Sequence, residues 1–358
     1  MKLRKKRFIA SVIMFGLCMA VVGCGGGSST AKNGEEQKTD KGSAGDYKIV
    51  LLLPGQINDQ SWNATNYAGL QACNEQLGTK MEYVENVQAA DFESTFREYA
   101  ERGYDLVLAA GSQFDEAVAT IAPNYPDTTF CVVNGLEANG DNIAPIFPRE
   151  YEASYLAAII AGNITETGHF ATIGGFPNKP MEHLMDVYEK TSISIAEDRG
   201  IKNAKATRAY ANNWSDIAQG KQMTEQMIDN GADVIFAYAN EIGLGCIDAA
   251  KEKGVKFVGF SSDQTTVDPN TVVASVVFDF ETFYTWAIQQ YMDGKLVGNV
   301  IHEAGIAEDI FKVVYTDNIT SDIKDSVENA VKEYKEGKKD LNKLFEDNQV
   351  SSEVDTAE

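Results

Sequence analysis

The sequence predicts an α/β protein built from two doubly wound, parallel-sheet lobes separated by a hinged cleft. Three observations predict it. Short apolar runs alternate with stretches of helical length and period along the body of the chain, the pattern of βαβ units. The apolar runs are continuous rather than alternating, as expected of strands covered on both faces. The alternation restarts near residue 150, so a chain of 358 residues divides into two units of similar size.

The elements follow in order. Residues 47–53 form an apolar run stopped by Pro54-Gly55, a buried strand ending in a turn. Helix is expected over 61–77, strand over 80–84, helix over 91–101 and strand over 106–109. Residues 114–122 read as a helix stopped by Pro123 and Pro126, and 129–133 as a strand. The second unit opens with an Ala-rich helix over 150–164. Strands over 169–173, 205–210, 234–238, 256–260 and 272–277 then alternate with helices over 181–197, 217–229, 243–253 and 280–293. Crossovers between the lobes are expected near Phe147 and Val277, and residues 321–345 read as a charged amphipathic helix. The predicted lobes are 47–147 plus 278–310 and 148–277 plus 311–345, with an acidic tail over 346–358.

Charge bounds the partners. Lys and Arg number 31 against 53 Asp and Glu, so the chain would repel nucleic acid and gain nothing from counterion release. With 44% hydrophobic and 23% charged residues, the composition is that of a globular protein. The first 23 residues carry only positive charges (Lys2, Arg4, Lys5, Lys6 and Arg7) ahead of an apolar run over 8–22 that is too short to span a bilayer. Cys24 directly follows small residues, as in a bacterial lipoprotein signal over 1–23, where cleavage precedes a Cys that is then acylated. An uncleaved anchor, or a plain signal followed by a chance Cys, is the alternative. Residues 24–46 begin Cys-Gly-Gly-Gly-Ser-Ser-Thr, continue polar, and cannot bury a core, so they read as a tether. Cleavage removes five positive charges and no negative ones from a net charge of −22. Cys73, Cys131 and Cys246 lack a C-x-x-C spacing and read as buried small hydrophobes, one disulfide plus one free thiol being the alternative.

No catalytic pattern emerges. His169, His183 and His302 are scattered, there is no phosphate-binding Gly-Lys-Ser/Thr loop and no Gly-x-Ser-x-Gly elbow. Gly243-Leu244-Gly245 lacks the third glycine of a dinucleotide fingerprint and reads as helix packing. The chain is therefore read as a binding protein, not an enzyme, with no cofactor and no metal. Ligands of open α/β sheets sit outside the carboxyl ends of the strands, here 54–63, 110–114, Asn134, 174–179, 239–243, 261–264 and Phe278. Asp59 or Ser61 is placed to cap the helix that follows. Trp62 offers a flat face for stacking, or else packs within its lobe, and the Asn63 amide beside it can donate and accept at once. Asn240 and Glu241 are polar contacts from the other lobe, or a helix cap.

Asp59-Gln60-Ser61-Trp62-Asn63 resembles the Asp-x-Ser-Phe-Asn motif of the basic membrane protein (BMP) family, substrate-binding lipoproteins of ABC importers. Further stretches match in order: Leu108-Ala109-Ala110-Gly111 with Phe114, Tyr125-Pro126-Asp127 with Phe130, Ala153-Ser154-Tyr155-Leu156-Ala157, Trp214-Ser215-Asp216, Gly231-Ala232-Asp233-Val234 and Asp263-Gln264. The resemblance implies a type I periplasmic-binding-protein-like fold whose cleft closes on a purine base or nucleoside and delivers it to an ABC permease and its ATPase. It implies a monomer held on the extracytoplasmic face of the cell membrane by lipid. It carries base stacking to Trp62, base hydrogen bonding to Asn63, and base reading to Asn134; Asp59, Phe114, Asn240 and Asp263, at or near strand ends, are further candidate contacts. Two positions depart from the family pattern. Ser261 stands where the family has an Asp for ribose hydroxyls, and Phe278 stands where it has a Lys. Loss of that charged pair favours a free base over a nucleoside. A ligand sensor for a membrane receptor, or a binding protein for another solute such as a sugar, is the alternative.

Overall fold

The computed structural model describes residues 43–58 and 62–343. The expected signal, Cys24, residues 25–42 of the tether, Asp59, Ser61 and the acidic tail lie outside the described residues.

The strands form two six-stranded sheets. In the first, β1 (Ile49–Leu52) pairs in parallel with β2 (Glu82–Val84) and β3 (Leu106–Ala110), and β3 with β4 (Thr129–Val133). Two three-residue strands extend the far side: β5 (Ile146–Pro148) and β11 (His302–Ala304), a pair drawn from distant parts of the chain. The second sheet runs β12 (Phe311–Tyr315), β10 (Val272–Phe278), β9 (Lys256–Ser261), β8 (Val234–Tyr238), β6 (His169–Gly174) and β7 (Lys205–Tyr210). It is parallel except at β12, which lies antiparallel on β10.

Burial explains the continuous apolar runs. All four residues of β1 are buried, yet they divide between two cores by parity. Ile49 and Leu51 face α1 (Trp62–Gln76) and α8 (Phe280–Met292), with Leu70, Tyr284 and Ile288. Val50 and Leu52 face α2 (Phe92–Glu101) and α3 (Asp115–Ile121), with Phe96, Phe114 and Val118. The second lobe repeats this. Val234 and Phe236 face α4 (Glu150–Ile164), α5 (Lys179–Asp198) and α9 (Ser321–Lys335), whereas Ile235 and Ala237 face α6 (Ile217–Asp229) and α7 (Ile242–Lys253). Cys73, Cys131 and Cys246 are buried free thiols, and burial pushes Cys73 and Cys246 up to about 12, so they are inert as nucleophiles.

Close helix contacts account for individual glycines. A Cβ on Gly245 would meet the Ile217 carbonyl oxygen at 2.0 Å, so α7 lies directly on the start of α6. A Cβ on Gly69 would lie 2.6 Å from the Tyr284 ring, where α8 presses on α1 and the Tyr284 hydroxyl donates to Asn66 Oδ1 at 2.6 Å. Gly69→Ala is expected to lower stability by about 1–3 kcal/mol through overpacking, read as a shifted urea midpoint at unchanged slope.

Three features differ from the sequence expectation. Strands β5, β11 and β12 were not expected: β5 and β11 are three residues each, too short to show a period, and β12 is an antiparallel edge strand, only partly buried. The helix expected over 321–345 ends at Lys335, and Gly337 follows at φ 71°, a left-handed stop. The third feature is β5 itself, which extends the first sheet to Pro148; the chain crosses between the sheets at 148–150, 278–280 and 304–311.

Candidate functional site

The crossovers orient the lobes. β5 ends at Pro148 and α4 of the second lobe starts at Glu150; β10 ends at Phe278 and α8 of the first lobe starts at Phe280. β11 ends at Ala304, and β12 starts at Phe311 beside the end of β10, Phe278. Each connection thus links the carboxyl edge of one sheet to the carboxyl edge of the other, and those edges form the two walls of a cleft. Backbone bonds lock the crossovers together: Arg149 N–H donates to the Ala304 carbonyl at 2.7 Å and Asp279 N–H to Ile310 at 2.8 Å. The Asp279 carboxylate caps α8 through Thr282 and pairs with Lys312. Burial alone would raise its pKa, yet Lys312 and Thr282 hold it below the ordinary value.

The edges carry strained backbone. Of the eight described non-glycine residues at positive φ, five stand at or just beyond strand ends here: Asn86, Asn134, Asn212, Asn240 and Ser261. Asn tolerates this region, but Ser261 at φ 70° is an uncommon occupant. Such strain concentrates at binding sites.

On the first wall, Trp62 opens α1. Its indole N–H donates to the Ala110 carbonyl at the end of β3 at 3.0 Å, and its ring meets Phe280 edge-on at 5.6 Å. Both contacts fix the plane of a half-buried ring. Gly111 N–H donates to the Val133 carbonyl at 3.0 Å, which places Asn134 on the neighbouring strand end. Asn134 Oδ1 is buried and has no hydrogen-bond partner among the described residues, an acceptor whose satisfaction would have to come from elsewhere. Asn63 is buried and its Oδ1 accepts from the Gly55 N–H at 3.0 Å, so this oxygen holds the loop after β1.

Phe114 is a correction. It is fully buried in the first lobe's core, 4.0 Å from the Phe92 ring and 5.9 Å from Phe96, because the one-turn helix Ser112–Phe114 rotates it inward. It does not face the cleft.

On the second wall, Asp263 is exposed but its Oδ1 is engaged by the Thr265 N–H at 3.0 Å and hydroxyl at 2.6 Å, closing its own turn. Asn240 is exposed and makes no side-chain cap to α7; the adjoining Glu241 makes none either. Ser261 and Phe278 are brought together and share a narrow gap with Glu150, Phe260 and Phe311. Phe278 is nearly buried, in a cluster with Phe280 at 4.1 Å, Phe283 at 5.3 Å and Phe311 at 5.7 Å. It belongs to the hinge as much as to the cleft wall.

Three groups stand out that the residue-by-residue reading did not select. Phe176 and Trp214 follow β6 and β7 and form an aromatic pair 5.5 Å apart, each more than a third exposed. Their signal was present, since both are aromatics just past strand ends. Glu150, at the first crossover, accepts from the Tyr238 hydroxyl at 2.6 Å. Burial pushes its carboxyl up to about 7, against the pull of Tyr238. Nothing in the sequence distinguishes Glu150 from the other acids. Among the described residues no group of His, Cys, Asp and Glu is arranged to hold a metal ion, and no helix is long and apolar enough to cross a membrane.

The two sheet edges thus present aromatic faces and one buried amide oxygen, that of Asn134, without a partner among the described residues. A family model described as "ABC transporter substrate-binding protein PnrA-like" (Bmp) matches residues 47–347. The chain is 27% identical to a protein of Lactococcus lactis subsp. cremoris named ABC transporter nucleoside-binding protein BmpA, over 93% of this chain and 98% of that protein. It is 24% identical to a purine-binding protein of Brucella abortus, over 81% of each. Among solved structures, it resembles a transcriptional activator of the comK gene from Bacillus halodurans (TM-score 0.69, 21% identity, 82% of this chain and 99% of that chain). It also resembles an ABC transporter solute-binding protein from Aeropyrum pernix (TM-score 0.62, 21% identity, 82% and 92%). The resemblance drawn from the ordered motifs is thereby borne out, and the chain belongs to the PnrA-like family of ABC transporter substrate-binding proteins.

Proposed function

We propose that this substrate-binding protein captures a purine-type ligand, a free base or a nucleoside, in the cleft and delivers it to an ABC permease. The observation that carries the ligand class is the pair of aromatic walls. Trp62 is locked by Ala110 and Phe280 on one sheet edge, and the half-exposed Phe176–Trp214 pair stands on the other. A planar heteroaromatic ring stacks on such faces, and every purine offers one. Asn134, with its unpartnered buried oxygen, supplies an acceptor for a ring or exocyclic N–H. The names of the Lactococcus and Brucella relatives point the same way. Ser261 in place of a carboxylate favours the free base. Asp59 is proposed as a further contact at the mouth of the first wall.

Capture is a two-lobe event. A ligand touching both walls favours the closed state by its differential contacts, and the closed form docks on the permease. The protein acts as a monomer, outside the cytoplasm, tethered by acyl chains on Cys24 after removal of residues 1–23. Tethering near the permease raises the local concentration of loaded protein. Metabolic labelling with a fatty acid should mark the wild-type chain and not a Cys24→Ser variant; equal labelling would overturn the anchor.

The ligand class is tested on protein unfolded and refolded to strip bound solute, then titrated by calorimetry with bases, nucleosides, sugars and amino acids. Saturable binding of a purine, with one site per chain, is expected. Binding of sugars or amino acids with no purine bound would overturn the reading. Trp214→Ala should weaken purine binding about fivefold or more, if its face contributes the ~1 kcal/mol of a weak stacking contact.

A further inference from the structure

Glu150 has an environment unlike that of the other acids at the crossovers. Its neighbour Arg149 is fully engaged, donating to Glu152, to Glu308 Oε2 at 2.7 Å and to the Glu303 carbonyl at 2.9 Å. Glu150 makes no ion pair among the described residues. Its one hydrogen bond comes from the Tyr238 hydroxyl to Oε1, and Oε2 has no partner there. The carboxyl borders two spaces. One is a cavity of about 200 Å³ beside Pro148, Lys179 and His183 at the start of α5. The other is a tight seam against Ser261 and Phe278 at the ends of β9 and β10, which has no room for a water molecule until the cleft walls part. Glu150 thus sits at the rear of the cleft, where the crossover meets the second wall, with one acceptor oxygen unused.

We propose that Glu150 is the specificity-determining acid of the cleft: its unused oxygen accepts a hydrogen bond from a ring N–H or sugar hydroxyl of the ligand, beside the Ser261 hydroxyl. This rests on the reading that the cleft takes a purine-type ligand, and it adds the requirement that the ligand present a donor at its inner end. A ligand with only acceptors there would set a lone pair against the carboxylate oxygen that Tyr238 leaves unused, which is costly. Tyr238 fixes the carboxyl plane by holding the other oxygen, so the acceptor is pre-aimed.

The chemistry has a measurable consequence. The charged and titratable groups around Glu150 are Arg149 and Tyr151 on its own segment, Tyr238 on β8, Glu303 on β11, and Lys179 and His183 on α5. Arg149 is engaged elsewhere, and burial holds His183 below its ordinary value. Glu150 is left as the acid that titrates near pH 7. A donor on the ligand favours the anion and lowers its pKa, so binding releases a proton near neutral pH. Affinity then rises with pH up to about 7 and levels off above it. The free protein shows the opposite trend. Its folded pKa lies above the ordinary 4.5, so ionisation of Glu150 removes stability progressively between pH 4.5 and 7.

The test is calorimetry on the full chain with a purine base and its nucleoside, at pH 6, 7 and 8, in buffers of different ionisation enthalpy. Wild type should release about half a proton per ligand at pH 7 and bind about tenfold more weakly at pH 6 than at pH 8. Glu150→Gln should bind at least about tenfold more weakly at pH 8, show no proton release, and melt at a higher temperature than wild type at pH 8 without ligand. Tyr238→Phe keeps the carboxyl but loses a bond that favours its anion, so its affinity profile should shift to higher pH, which keeps the proposal testable if Glu150→Gln misfolds. Purine binding by wild type with no proton exchange and no pH dependence from 6 to 8 overturns the role of Glu150 alone. Absence of any purine binding overturns the ligand class, and this proposal with it.

Discussion

Replacing Glu152 with Ala should cost the fold about 3–5 kcal/mol, the largest loss expected from any single substitution in the hinge. Its side chain is fully buried, yet it joins three separate parts of the chain. It pairs with Arg149 at the first crossover, accepts from the Ile306 N–H at the third at 2.6 Å, and accepts from the Tyr334 hydroxyl on α9 at 2.6 Å. Truncation would leave the Ile306 N–H and the Tyr334 hydroxyl without an acceptor inside the protein, and Arg149 would keep only Glu308 and the Glu303 carbonyl. Unsatisfied buried donors carry most of the cost. Gly305 exists for the same contact, since a Cβ there would lie 2.1 Å from Glu152 Oε2. Urea unfolding followed by circular dichroism measures the loss. A change below about 1 kcal/mol would mean that water replaces the carboxylate and that the crossovers are held by backbone pairing alone.

Trp62→Ala should raise the Kd for a purine roughly 5- to 150-fold, corresponding to about 1–3 kcal/mol of lost stacking. The indole is not a core residue: it is half-buried, fixed at its N–H by Ala110 and at its edge by Phe280. Its removal therefore affects the ligand face more than the fold, and the melting temperature should fall only slightly. Trp62→Phe retains a stacking face without the N–H anchor, and should recover most of the affinity. Unchanged affinity in Trp62→Ala would remove this residue from the site.

The fold was legible where burial is complete. β1, β3 and β4 are buried on both faces, so their runs contain almost no polar residue and cannot be mistaken for surface helix. β5 was illegible because three residues carry no period, and β11 and β12 because their residues are partly exposed; β11 reads His302-Glu303-Ala304 and pairs with residues 146–148. The site was legible only as a set of strand ends. Trp62 and Asn134 stand at the first sheet's edge, and Ser261 and Phe278 share one gap at the second. Phe114 misled because an aromatic after a strand end faces the cleft or the core depending on one turn of helix. Asp263 and Asn63 showed the right chemistry, but local turns and loops use the Asp263 Oδ1 and Asn63 Oδ1 atoms. Glu150 gained its character only in the fold, which buries its carboxyl and brings the Tyr238 hydroxyl, 88 positions away, to 2.6 Å.

In the proposed function, one planar solute lies between the two sheet edges, on Trp62 from one lobe and on the Phe176–Trp214 pair from the other. An X-ray structure of the protein crystallised with the purine it binds most tightly tests this most directly. The base plane is expected parallel to the Trp62 ring and in contact with the second wall, with Asn134 Oδ1 accepting from the ligand. A purine seated outside the cleft, or a cleft occupied by a sugar with Trp62 still packed on Phe280 and touching no ligand, would contradict it.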